Sequence, residues 1–237
     1  MKRISTILFI CFTFLKLSAQ TVYFLPGQGA DERLFNNIIL DSQYVVKYIK
    51  YSIPEPDDSM HTYARKMAQQ IDTTEPFILI GTSFGGMLAT EINDFLSPEK
   101  VIIISSAKSQ YELPGRYQFQ KKYKLYQYVT PKITKAGAII LQPIVEPDRM
   151  RENATFRSML WDKHPTYMQH SVRMIIEWKR TDYDDNIIHI HGEKDRTVPI
   201  RNVDYDILIP NGSHMMTLTE GKYLSGILNE LLKKIDR

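Results

Sequence analysis

The stretch Phe77-Ile78-Leu79-Ile80-Gly81-Thr82-Ser83-Phe84-Gly85-Gly86-Met87-Leu88-Ala89 passes from an apolar run through a G-x-S-x-G turn into a helix-forming segment. An apolar strand feeding straight into a helix through so tight a turn reads as a nucleophile elbow. A serine at the apex of so tight a turn projects its hydroxyl from the sheet edge. The helix start behind it points backbone N–H groups at any developing anion. Gly81 and Gly85 stand where side chains would collide with the adjacent strand and helix. Ser83 is the candidate nucleophile.

Two later segments supply partners. Asn186 to Pro199 is a β-rich run followed by a glycine turn, with Asp195 just past the strand end. After another strand, Tyr205 to Ile209, the turn Pro210-Asn211-Gly212-Ser213 delivers His214 to the same sheet edge. Asp195 is the candidate acid and His214 the candidate base, in the chain order Ser, Asp, His. Asp31, Asp162 and Asp182 compete for the acid's role, but none has a comparable strand-end setting.

With these residues in place the chain resembles the α/β-hydrolase superfamily, as a capped, esterase-like serine hydrolase. The resemblance extends to Val22-Tyr23-Phe24-Leu25-Pro26-Gly27-Gln28-Gly29, which is similar to the first core strand and oxyanion loop of that family. Many members carry His-Gly here, whereas this chain has Pro26-Gly27. The resemblance implies an oxyanion hole formed by the backbone N–H groups of Gln28 and Phe84, with Gly29 as the alternative to Gln28. Asp31 and Glu32 follow at a helix start, where acids complement the macrodipole.

Strand signals near 21–25, 44–50, 77–80, 101–105, 187–191 and 205–209 alternate with helix signals near 31–38, 59–71, 85–96 and 220–235. The pattern predicts an α/β fold, a doubly wound and mostly parallel sheet of six strands. Between Ala107 and Asn186 lies an insertion of about 80 residues, far longer than an ordinary crossover. Residues 108–186 are expected to form a helical cap, with 20–107 and 187–237 as the core. Within the insertion, 116–129 is aromatic and basic, and 166–180 carries Tyr167, Ser171, Met174 and Trp178 along one helix face. Pro131, Pro143, Pro147 and Pro165 punctuate it. The resemblance implies that such an insertion roofs the active site, and Tyr123 and Trp178 are the expected roof aromatics.

Composition sets the remaining bounds. The chain has 237 residues, 43% hydrophobic and 24% charged, enough to bury a full core. Its net charge of +3 is accounted for by Lys2, Arg3 and Lys16, and the rest of the chain is balanced. No basic footprint for a nucleic acid remains. Those first residues have the form of a secretory signal peptide over 1–19: a basic start, an apolar stretch from Ile4 to Leu17, then Leu17-Ser18-Ala19 before Gln20. The expectation is export, periplasmic or secreted, with no stable membrane span after removal. An uncleaved N-terminal anchor is the alternative. Cys11, the single cysteine, lies inside that stretch.

His189-Ile190-His191 places two imidazoles on one strand face, a pattern that can bind zinc, but no third ligand stands at metal spacing. A structural pair is expected, and neither a metal nor a cofactor. The residues point to cleavage of an ester or thioester of a small or medium acyl substrate through an acyl-serine intermediate. An acyltransferase on the same triad, a cofactor-free haloperoxidase or lyase, and a non-catalytic binding protein of the same fold are the alternatives. The sequence leaves the oligomeric state open.

Overall fold

Side chains alternate across a strand, so each core strand must present an apolar set to each face that a helix covers. Four segments meet that demand, β1 (Gln20–Leu25), β3 (Phe77–Thr82), β4 (Lys100–Ile104) and β5 (Ile187–Gly192), while the more exposed β2 (Tyr44–Tyr48) and β6 (Ile207–Ile209) lie at the edges. The computed structural model describes residues 20–145 and 152–233, and it joins these strands into one parallel sheet of order β2-β1-β3-β4-β5-β6. The doubly wound α/β architecture expected from the sequence is the one observed. The expected signal peptide, 1–19, lies outside the described residues, as does Pro147.

On one face Tyr23, Leu25, Leu79, Val101 and Ile103 pack against α1 (Met60–Ala68) and α2 (Phe84–Asn93). On the other, Val22, Phe24, Ile78, Ile80, Ile102 and Ile104 meet Leu224, Leu228 and Leu232 from the C-terminal helix, Gly221–Lys233. Each of those leucines is fully buried and contributes about 1.5–3 kcal/mol relative to exposure. Their four-residue spacing keeps them on one side of the helix. At the start of α1, Ser59 accepts from the Thr62 N–H and the Thr62 side chain answers the Ser59 N–H, a reciprocal cap.

The expected helix over 31–38 is only a 3-10 turn, Glu32–Phe35. Asp31 caps it by accepting from the Arg33 N–H at 3.1 Å, and Asn36 and Asn37 follow, residues that favour turns over helix interiors. The aromatic and basic stretch 116–129 is also interrupted. Here α3 (Gly115–Tyr123) stops at Lys124, which adopts the left-handed conformation at φ 52°, and a 3-10 turn, Leu125–Tyr128, follows. Two helices that the sequence marked only by their prolines come next, α4 (Pro131–Val145) and α5 (Asn153–Asp162), and then α6 (Pro165–Glu177).

These helices between β4 and β5 are tied to the core by polar contacts. Arg33 donates to Ser158 Oγ at 3.0 Å and to Asp162 at 2.8 Å. Arg173 donates to the Asp58 carbonyl at 2.8 Å, and His170 Nδ1 to the Pro54 carbonyl at 2.6 Å. Among the described residues no helix is long and apolar enough to cross a membrane.

The sheet order decides where a ligand crevice can open. The chain leaves β1 toward β2 and returns past β1 to β3, so the carboxyl ends of β1 and β3 flank the reversal of winding. The glycine loop after β1 and the turn after β3 both start there.

Candidate functional site

Ser83 occupies the single residue between β3 and α2, at φ 53° and ψ −121°. A non-glycine residue in that region stores strain of about 1–3 kcal/mol, so the surroundings must hold it. They do so from β4. Ser83 N–H donates to the Ile104 carbonyl at 2.9 Å, and the Ser83 carbonyl accepts from Ser106 Oγ at 2.7 Å and from Gly86 N–H at 2.8 Å. A Cβ on Gly85 would lie 2.6 Å from the Pro26 carbonyl oxygen, and one on Gly81 2.7 Å from Gly86 Cα. Glycine is therefore required at both positions for the turn to close against β1 and α2.

The three residues singled out by chain order converge here. Ser83 Oγ lies 2.8 Å from His214 Nε2, and His214 Nδ1 lies 2.7 Å from Asp195 Oδ2. A carboxylate can only accept, so Nδ1 carries the ring proton, and the Nε2 lone pair faces the serine hydroxyl. The other Asp195 oxygen accepts from the N–H groups of Thr197 and Val198, each at 2.8 Å. Asp195 and His214 are both more than nine-tenths buried. Their loops are laced together: Glu193 N–H donates to the Ile209 carbonyl, Lys194 N–H to the Gly212 carbonyl, and Asn211 N–H to the Glu193 carboxylate. Of the competing acids, Asp31 and Asp162 pair with Arg33.

Gln28 and Phe84, the expected oxyanion donors, also border Ser83. Gln28 lines the cavity beside it, and the Gln28 and Phe84 N–H groups donate to no acceptor among the described hydrogen bonds. Gly29, the alternative, is not among the residues lining that cavity. The Gln28 side chain has a part that the sequence did not signal. Its amide donates to Ser171 Oγ at 2.8 Å and to the Met168 carbonyl at 3.1 Å, pinning the loop after β1 to α6.

The cavity has a volume of about 150 Å³. Its walls beyond Ser83 and His214 are shared between core residues such as Leu34, Met87 and Met215 and the β4–β5 helices, which bring Tyr117, Gln142 and Leu160 among others. The two aromatics expected in the roof are elsewhere. Tyr123 is 52% exposed, and Trp178 donates its indole N–H to Glu91 at 2.8 Å on the wall of a separate cavity of about 660 Å³. That larger cavity contains neither Ser83 nor His214, so volume alone would misplace the chemistry.

His189 and His191 form a fully buried pair behind Asp195. His189 Nδ1 lies 3.0 Å from the Asp204 carbonyl, His191 Nε2 lies 2.8 Å from that of Val198, and His189 Nε2 lies 3.0 Å from His191 Nδ1, so two neutral rings, with two protons between them, fill two of these three contacts. His191 Nε2 is also 3.6 Å from Asp195 Oδ2. Among the described residues no group of histidines, cysteines and acids could hold a metal ion.

Burial pushes both pKa values below the ordinary histidine range; His191 lowers that of His189 further, while Asp195 opposes the shift at His191. Such a histidine takes up its proton more readily in the unfolded chain. Its stabilising contribution is complete above about pH 6.5 and is lost as pH falls from there toward the depressed folded value, by at most about 1.4 kcal/mol per pH unit for each ring. Urea midpoints should therefore drop as pH is lowered from 7.5 to 5. His189→Leu should flatten the slope, and a flat wild-type profile would contradict the pair's neutral burial.

A six-stranded parallel sheet with a serine elbow at the switch point and a long helical insertion after β4 defines an α/β-hydrolase fold. Within that class, the chain belongs to the uncharacterised protein family UPF0227, whose family model matches residues 32–151. No curated protein matches the sequence. Similar solved structures include a thermophilic esterase from Thermogutta terrifontis, with a TM-score of 0.74 and 14% identity over 92% of this chain and 91% of that chain. The enol-lactonase from Burkholderia xenovorans is similar at a TM-score of 0.68 and 12% identity, over 91% and 92%. The type II thioesterase YbtT of the yersiniabactin pathway follows at 0.63 and 14%, over 92% and 94%. At such identities the likeness establishes the fold, and activity must be argued from the site.

Proposed function

We propose that this protein is a serine hydrolase that cleaves an ester or thioester of a small acyl group through a covalent acyl-serine. The observation that carries the reading is the unbroken contact chain from Ser83 Oγ through His214 to Asp195, at 2.8 and 2.7 Å. Ser83 Oγ attacks the substrate carbonyl as His214 Nε2 takes its proton, and Asp195 stabilises the resulting imidazolium. The oxyanion of the tetrahedral intermediate is held by the N–H groups of Gln28 and Phe84. Collapse breaks the bond to the alcohol or thiol, which leaves with the proton from His214. Water, deprotonated by the same imidazole, then attacks the acyl-serine and releases the acid and free Ser83.

The β4–β5 helices act as the cap in this reading, because they supply about half of the apolar wall around Ser83. An apolar cavity of about 150 Å³ accommodates a molecule the size of benzene. Acyl chains of about two to six carbons should therefore fit, and longer ones should have to displace the cap. In a series of p-nitrophenyl esters from acetate to dodecanoate, kcat/KM is expected to peak within the short members and to fall at least tenfold by the decanoate. A maximum at decanoate or beyond would overturn the small-acyl assignment.

A further inference from the structure

The wall of the Ser83 cavity is apolar apart from a few groups, and most of those are engaged. The Gln28 amide is held by Met168 and Ser171, and Thr82 Oγ1 pairs with Thr217 Oγ1 at 3.2 Å. Gln142, on α4, differs. Its exposure is 4%, it lines the same cavity, and its amide nitrogen has no hydrogen-bond partner among the described residues. An unpaired buried amide donor is costly, and evolution has a cheap remedy in leucine or methionine, which fill the same volume without the penalty. A buried donor without a described partner, on a residue that lines a reaction cavity, is explained by a partner that arrives with the substrate and is met by a turn of the amide about the last side-chain bond.

We propose that Gln142 is a specificity-determining residue whose amide N–H binds an acceptor oxygen carried by the substrate in addition to the reacting carbonyl. The substrate class is thereby narrowed, within the acyl-serine reading on which this rests, from apolar short-chain esters to small esters or thioesters bearing an ether, keto or hydroxyl oxygen. The placement supports this role. Ala138 and Gln142 stand one helical turn apart on the face of α4 that lines the cavity, alongside Phe156 and Leu160 from α5. In such a setting a substrate lacking the acceptor leaves the amide unpaired, and discrimination comes from that loss.

Two near-isosteric pairs test it. One varies the acyl side, p-nitrophenyl 3-methoxypropanoate against the pentanoate. The other varies the alcohol side, 2-methoxyethyl acetate against butyl acetate. Each rate is divided by that of hydroxide-catalysed hydrolysis to remove intrinsic reactivity. The wild type is expected to favour the ether in one pair by about tenfold, the worth of one buried hydrogen bond. Gln142→Leu should bring that ratio to within twofold of unity. A ratio unchanged by the substitution would overturn the proposal.

A second readout does not depend on turnover. If the amide is unpaired in the free protein, Gln142→Leu and Gln142→Met should raise Tm by about 2–4 °C, whereas a lowered Tm in both would mean that the amide already has a protein partner and would overturn the assignment. Failure of the underlying hydrolase reading looks different. In that case the wild type itself would hydrolyse no member of either pair.

Discussion

Ser83→Ala is expected to lower ester hydrolysis by about a millionfold and to abolish covalent labelling by a fluorophosphonate, the largest effect available to a single substitution in this protein. The size follows from the mechanism. Removing Oγ removes the atom that forms the acyl intermediate in the proposed mechanism, and what would remain is the modest rate due to binding and the oxyanion donors. The fold should persist, because the backbone contacts that hold residue 83 come from its own N–H and carbonyl, through Ile104, Ser106 and Gly86. Mass spectrometry of the labelled wild type should place the adduct on Ser83. A label on another serine, or full hydrolysis by the alanine variant, would falsify the acyl-serine mechanism. Labelling of the wild type without hydrolysis of any ester or thioester would instead indicate acyl transfer to an acceptor other than water.

Asp195→Asn is expected to retain the fold and cost around ten-thousandfold in acylation rate. The argument turns on one proton. Asparagine preserves the acceptor for the Thr197 and Val198 N–H groups only if its oxygen takes the place of Oδ1, which turns its amide nitrogen toward His214 Nδ1. A donor there stabilises the tautomer with its proton on Nε2, and the lone pair that should receive the Ser83 proton is lost. Pre-steady-state release of p-nitrophenol measures the acylation step directly. A loss below about a hundredfold would mean that a second acid can orient the ring. The structure makes that an exacting test, since Asp31 and Asp162 are both committed to Arg33.

The elbow was legible because its constraints are local. Gly81, Ser83 and Gly85 are close in sequence, and the clashes that demand glycine arise from the same turn that positions the serine. Strand positions were legible for a related reason: a central strand covered on both faces must be apolar throughout, as Ile78-Leu79-Ile80 and Val101-Ile102-Ile103-Ile104 are. Helix content in the insertion was harder to read. Lys124 breaks the stretch 116–129 by adopting a conformation that no lysine advertises, and α4 and α5 carry weaker signals than their prolines. The expected roof aromatics failed on orientation. Tyr117 lies on α3 like Tyr123, yet Tyr117 reaches the cavity while Tyr123 faces solvent, a choice made by how α3 lies against α6.

Sequence by itself determined the order of the six strands, the serine at the sheet edge, and the chain order of the candidate acid and base that follow it. Each of these depends on neighbours within a few residues or on a periodicity repeated along one element. Only the tertiary structure decided that Gln28 is tied to Ser171, that Ser106 braces the elbow, and that Gln142 brings an unpaired amide to the wall beside Ser83. Those features depend on the meeting of segments far apart in the chain, where the partner of a polar side chain is set by helix packing and leaves no mark in local composition.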